Sequence, residues 1–229
     1  MIISHLHRFI FLKTRKTAGT SVEMALSALC GPCDVITPMS AKEEAVRLGL
    51  HAQNYVIPKQ YQPKLRRLLH SFGASQRAAG IIYYSHMPAA LLKQRVPPPI
   101  WQDYCKVTIE RNPWDRELSH YFWRSPGLPS PADFEKFVMR PGRHINNFDI
   151  YSVNGEIIAD VVIRYESLAE DFAAFVGDLG IEAISELPRA KGLFRPASSH
   201  NYRGYYNSRT RDAVAERYAR EIKAFGYTF

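Results

Sequence analysis

Four consecutive apolar residues, Phe9-Ile-Phe-Leu12, are followed by nine polar or small ones, Lys13 to Ser21. The pattern predicts a buried strand at Phe9 to Leu12, a polar turn, and a helix from about Thr20 to Leu29 that Gly31-Pro32 stops. Gly80 to Tyr84 reads as a second short strand ending just before Ser85-His86. Tyr104 to Ile109 reads as a third, and Pro113 suits the first turn of a helix running towards Trp123. Asn154-Gly155, set between Ile150 to Val153 and Glu156 to Ile163, is a hairpin signal leading into another apolar strand. Helical periodicity returns from about Ser167 to Leu179 and, amphipathically, from Ser208 to Ala224. Pro97-Pro98-Pro99 and the stretch from Ser125 to Pro131 read as loops. Strands alternating with helices predict an α/β fold.

Composition narrows this picture. The 229 residues, 46% hydrophobic, suffice for one domain over residues 1–229 with a substantial core, and exclude a disordered or repetitive chain. No apolar run is long enough to span a bilayer, and the first twelve residues lack the form of a secretory leader. Three cysteines, Cys30, Cys33 and Cys105, are too few for a secreted disulfide scaffold, so a reducing compartment, the cytoplasm, is expected. The net charge of +8 is concentrated between Glu44 and Asp103. No acidic residue occurs there, and Arg47, Lys59, Lys64, Arg66, Arg67, Arg77, Lys93 and Arg95 do. Such a tract attracts a polyanion, a phosphate-rich cofactor or an acidic surface, or is simply a solvated face.

Chemistry is densest in the first turn, Lys13-Thr-Arg-Lys16-Thr17-Ala18-Gly19-Thr20-Ser21. A helix N-terminus presents unpaired N–H groups and the positive end of a dipole, so this turn is an anion cradle. Thr20 and Ser21 offer hydroxyls, Lys16 a mobile charge, and Gly19 room for the backbone to approach a ligand. It is not the loop G-x-x-x-x-G-K-[ST] of nucleotide hydrolases, because Lys16 precedes the only glycine. A second strand-to-helix passage, Val107-Thr-Ile-Glu-Arg111-Asn-Pro-Trp-Asp-Arg-Glu-Leu-Ser119, places an arginine at a strand end and a serine two turns into a helix. His86 sits between these passages, in Ser-His-Met-Pro.

The segment from Phe9 to Ser21 resembles the 5′-phosphosulfate loop of sulfotransferases that use 3′-phosphoadenosine 5′-phosphosulfate (PAPS), most closely the heparan sulfate 2-O-sulfotransferase-like carbohydrate branch. The likeness implies a P-loop-like three-layer fold, with a central mainly parallel sheet flanked by helices. It also implies that Lys16, Thr17, Ala18, Gly19, Thr20 and Ser21 bind the donor, Lys16 steadying the bridging oxygen as the sulfuryl group leaves. Arg111 and Ser119 match the family's 3′-phosphate ligands, and His86 matches its general base. An ordinary imidazole, with a pKa of about 6.5, accepts a proton at neutral pH. The stretch from Arg195 to Arg203 is similar to the family's late nucleotide loop, carrying over Ser198, Ser199 and Arg203. The likeness runs from about Phe9 onward, except for the segment from about Cys33 to Ser75. It implies sulfuryl transfer to a hydroxyl or amine of an acceptor, for which the basic tract and the branch suggest an anionic saccharide, with no metal and no nucleic acid.

Three rivals share some of these features. A nucleotide or small-molecule kinase would use the same anion loop with Mg²⁺, for which Glu110 could serve. A non-catalytic polyanion binder would need only the charge. Cys30-Gly-Pro-Cys33 has the tetrapeptide of thioredoxin, but Cys30 ends a predicted helix, where the dipole opposes a thiolate.

Overall fold

The computed structural model describes residues 1–56, 80–125, 130–142, 144–181, 187 and 201–229. The described chain runs β1 (Ile2–Ser4), β2 (Phe9–Leu12), α1 (Gly19–Ser27), β3 (Val35–Ile36) and α2 (Ala41–Glu44). It continues with α3 (Ala89–Lys93), α4 (Pro98–Asp103), β4 (Cys105–Glu110), α5 (Pro113–Arg124) and α6 (Pro131–Met139). The hairpin β5 (Ser152–Val153) and β6 (Glu156–Ile157) leads to β7 (Val161–Arg164), α7 (Leu168–Asp178), α8 (Ser208–Arg217) and α9 (Ala219–Phe225).

The fold is α/β: a five-stranded sheet of order β3-β1-β2-β4-β7, flanked by helices. β2, β4 and β7 are parallel, whereas β1 is antiparallel to both β2 and β3. The sheet is therefore mixed rather than mainly parallel. The reason lies in the first eight residues, where a tight turn with Arg8 at φ 53° returns Ile2–Ser4 along β2 as a hairpin. Alternation along β2 loads both faces. Phe9 and Phe11 pack with Val22, Leu26, Phe172 and Phe175 of α1 and α7, and Ile10 and Leu12 pack with Met87, Leu92, Phe148 and Tyr151 on the other side. Each such phenylalanine, fully buried, contributes about 1.5–3 kcal/mol.

Gly80 to Tyr84 does not form the expected strand. Only Ile81 makes a bridge, to Val56, and the amides of Ile82 and Tyr83 both donate to the Tyr55 carbonyl, so no ladder propagates. The C-terminal helix is also interrupted, at Tyr218 (φ −111°, ψ 27°), between α8 and α9. The Tyr218 side chain is held in the interior, its hydroxyl donating to Glu117 (2.8 Å) and its ring 4.5 Å beneath the Arg116 guanidinium. Asn154 and Gly155, at φ 53° and 85°, make the expected hairpin turn, though its strands are only two residues long. No helix among the described residues is long and apolar enough to cross a membrane.

Candidate functional site

Leu12 pairs with Thr108 across β2 and β4, so the loops that follow these strands emerge side by side. They open onto a cleft of about 1210 Å³. Its walls bring together Lys16, Ala18, Gly19, Thr20 and Ser21 of the first loop, Arg111 and Ser119 of the second passage, and His86. Residues far apart in sequence thus meet where parallel strands end, the usual place for a ligand in an open α/β sheet.

The first loop is held by contacts its own sequence does not reveal. The Thr14 hydroxyl donates to the Ile109 carbonyl (2.5 Å), which ties the loop to β4. Asn147, fully buried, accepts from the Arg15 amide (2.9 Å) and donates to the Arg15 carbonyl (3.0 Å), bracing the loop from across the molecule. Lys16 and Ala18 adopt positive φ, 63° and 62°, while Thr17 between them does not. Left-handed residues of this kind can turn neighbouring backbone N–H groups towards one side, the sort of concavity that suits an anion. Ala18 also caps α1 without any side-chain hydrogen bond, and the first turn of α1 carries no acidic residue.

Several loop residues differ in role from what their chemistry suggested. Thr17 is fully buried, with its hydroxyl 2.8 Å from that of Thr14, so only its backbone belongs to the concavity. Lys13 is buried and paired with Glu23 at 2.5 Å, which commits its charge to the interior. A Cβ on Gly19 would lie 3.0 Å from Lys13 Cγ and 3.2 Å from the Thr14 carbonyl oxygen. A side chain at position 19 would therefore crowd the loop's own packing, and Lys13 or the Thr14 carbonyl would have to give by a few tenths of an ångström.

Arg111 is buried and oriented from three sides. Asp115 pairs with its Nε at 2.7 Å and an η nitrogen at 2.6 Å, the Lys16 carbonyl accepts at 3.2 Å, and the Tyr165 ring lies 3.8 Å below. Asp115 and Tyr165 line the cleft and escaped the sequence reading. An aspartate four residues after an arginine at a helix start was the available signal for the first, and Tyr165 had none. Glu110 faces away from the cleft. Its carboxylate is fully buried, accepting from Arg116 (2.6 Å), the Tyr151 hydroxyl (2.5 Å) and the Arg111 amide (2.9 Å). It is a structural anion, not the metal ligand that a kinase would need.

His86 sits in a turn before α3 rather than at a strand end, and its φ is 61°. Its Nδ1 lies 2.9 Å from the Lys13 carbonyl oxygen. A carbonyl only accepts, so Nδ1 carries the proton and Nε2 the lone pair. Burial, reinforced by the charges of Lys13 and Arg15, lowers the His86 pKa to about 4. The imidazole is thus neutral over the whole physiological range and a weaker base than an ordinary histidine.

The other wall holds residues that were not among the sequence candidates. His120, buried, and Trp123, 48% exposed, line the cleft with His144, and the Lys16 Nζ lies 5.5 Å from the Trp123 ring centre. Arg203 is not among the lining residues. Its guanidinium donates to the Phe229 main-chain oxygen (3.1 Å) and lies against Tyr202. Ser198 and Ser199 fall outside the described residues, as do Lys59, Lys64, Arg66, Arg67 and Arg77 of the basic tract. Arg47 of that tract is buried, bound to Glu44 (2.8 Å), the Ser27 hydroxyl (2.6 Å) and the Thr37 carbonyl (3.1 Å). The three cysteines are free thiols, and burial together with Asp34 pushes Cys30 up to about 12, the opposite of a redox thiolate. No three His, Cys, Asp or Glu side chains among the described residues group as a metal site.

No family model matches this chain, and no solved structure matches it. An uncharacterized protein of Archaeoglobus fulgidus is 29% identical over 100 residues, which cover 42% of this chain and 83% of that one.

Proposed function

We propose that the protein transfers a sulfuryl group from PAPS to a hydroxyl or amine of an acceptor. The observation that carries this reading is the meeting of the alternating-φ loop, Arg111, Ser119 and a lone-pair-bearing His86 in one cleft. The cleft can seat two separate anionic groups: the backbone concavity at 16–21 would hold the 5′ end of the donor, and Arg111 with Ser119 its 3′-phosphate. When bound, PAPS supplies an activated sulfuryl group on a phosphate leaving group. Lys16 places positive charge beside the loop, where negative charge develops on the leaving oxygen. His86 Nε2 accepts the acceptor's proton, its ring fixed by the bond to the Lys13 carbonyl. The remaining work is positioning. Free thiols suit a reducing compartment such as the cytoplasm, and the surplus of cations suits an anionic acceptor such as a saccharide bearing carboxylates or sulfates. Burial of Glu110 among its own partners weakens the kinase alternative.

Calorimetric titration with 3′-phosphoadenosine 5′-phosphate (PAP) is the direct test, since it needs no knowledge of the acceptor. Saturable binding, weakened when the 3′-phosphate is missing, supports the reading, and absence of binding sinks it. Arg111→Ala is expected to cost about 1.5–3 kcal/mol in PAP affinity, the value of a charge-assisted contact. It should also abolish discrimination against adenosine 5′-phosphate, and a variant that still discriminates would remove Arg111 from the 3′ site. Asn147→Ala should cost about 1–3 kcal/mol of stability and weaken PAP as well, because the Arg15 amide and carbonyl lose their buried partner. Thermal melting and the same titration check this, and unchanged PAP affinity would show that the loop keeps its shape without the brace.

A further inference from the structure

His120 is 7% exposed on α5 and lines the cleft, yet its Nδ1 is buried without a hydrogen-bond partner among the described residues. The ring is fixed by aromatic neighbours. It stacks on Trp123 (centroids 6.2 Å apart, 25° between planes) and meets Phe137 edge-on at 5.1 Å. A neutral imidazole carries one proton. Buried N–H groups without partners are rarer than buried acceptors without partners, so the proton belongs on Nε2 and the lone pair on the enclosed Nδ1. Burial, with the nearby charges of Lys16, Arg124 and His144, lowers the His120 pKa to about 4 and keeps the ring neutral. Nε2–H is then a permanent donor.

The two cleft imidazoles therefore have opposite polarity. At His86 the Lys13 carbonyl takes the Nδ1 proton and leaves Nε2 as an acceptor, whereas at His120 the unpartnered Nδ1 leaves Nε2 as the donor. Lys16 connects His120 to the reacting end, since its Nζ lies over the indole on which His120 stacks.

Resting on the sulfotransfer reading, we propose that His120 is a further catalytic residue whose neutral Nε2–H donates to a sulfuryl oxygen during transfer. In that step the acceptor oxygen forms a bond to sulfur, and the bond from sulfur to the 5′-phosphate oxygen breaks. The acceptor proton passes to His86 Nε2, and PAP leaves with the electron pair. The non-bridging sulfuryl oxygens retain negative charge throughout. A fixed neutral N–H stabilises them without the cost of burying a charged donor.

The test compares wild type with His120→Phe, which keeps the aromatic packing, and His120→Gln, whose amide N–H₂ can stand in for Nε2–H. Each is assayed for thermal melting, PAP binding by calorimetry, and release of PAP from PAPS with water as acceptor. Expected are similar melting and PAP affinity in all three proteins, PAP release slowed about 10²-fold in His120→Phe, and most of that loss restored in His120→Gln. Wild-type turnover in His120→Phe, or a His120→Gln as slow as His120→Phe, would overturn the donor role while PAP binding kept the sulfotransfer reading intact. Failure of the wild-type protein to bind PAP would overturn both.

Discussion

Replacing His86 by alanine is expected to slow sulfuryl transfer by about 10²–10⁴-fold, the usual contribution of a positioned general base, while PAP affinity changes little. The two readouts separate because, on the proposed reading, the imidazole would meet the acceptor rather than the nucleotide. Its pH signature follows from the burial that lowers its pKa to about 4. A base loses its lone pair as pH falls through its pKa, so the acid limb of kcat/KM should lie near pH 4 rather than near the ordinary histidine value. Donor phosphates in the cleft favour the protonated ring, so the limb in kcat should lie at higher pH. The depressed pKa also has a consequence for stability. Between about pH 6.5 and about pH 4 the unfolded chain binds protons at His86 and His120 that the native chain refuses. Stability should therefore fall as pH falls through this window and be fully present above it. Rate profiles and thermal melts over the same pH range check both statements. A kcat/KM limb near pH 6.5 that survives in His86→Ala would assign the base to another group.

Lys16→Ala is the second large effect, with turnover reduced by about 10²–10³-fold, as for loss of one preorganised electrostatic contact to developing charge. Ground-state affinity for PAP should fall far less if, as proposed, backbone N–H groups rather than the side chain form most of the cradle. The lysine backbone is at φ 63° and its ammonium lies 5.5 Å from the Trp123 ring centre, on the same side of the cleft as His120. Lys16→Arg keeps the charge but exchanges a compact ammonium for a planar fork, and should recover part of the rate. Single-turnover release of PAP from PAPS, alongside calorimetry, distinguishes the cases. Equal losses in PAP affinity and in rate would mean that Lys16 holds the ground state only.

Local pattern was sufficient wherever a segment satisfies itself. The apolar run Phe9–Leu12 formed its strand, Pro113 opened α5, and Asn154-Gly155 turned the chain, because short-range sterics and burial decide each of these. The charged and hydroxyl residues of the first loop, with Arg111, Ser119 and His86, were also legible as candidates, and the fold gathers all of them but the buried Thr17 at one cleft. Partnerships across the molecule were not legible. Sequence could not say that Lys13 is spent on Glu23, that Glu110 is enclosed by Arg116 and Tyr151, or that Asn147 braces a loop 132 residues away. Nor could it give strand direction, since β1 is antiparallel by virtue of a hairpin turn that apolar periodicity does not encode. The two imidazoles make the distinction sharpest. Their residue type is written in the chain, but which nitrogen carries the proton depends on a carbonyl at His86 and on an Nδ1 of His120 left without a hydrogen-bond partner among the described residues, and tertiary packing alone supplies both conditions.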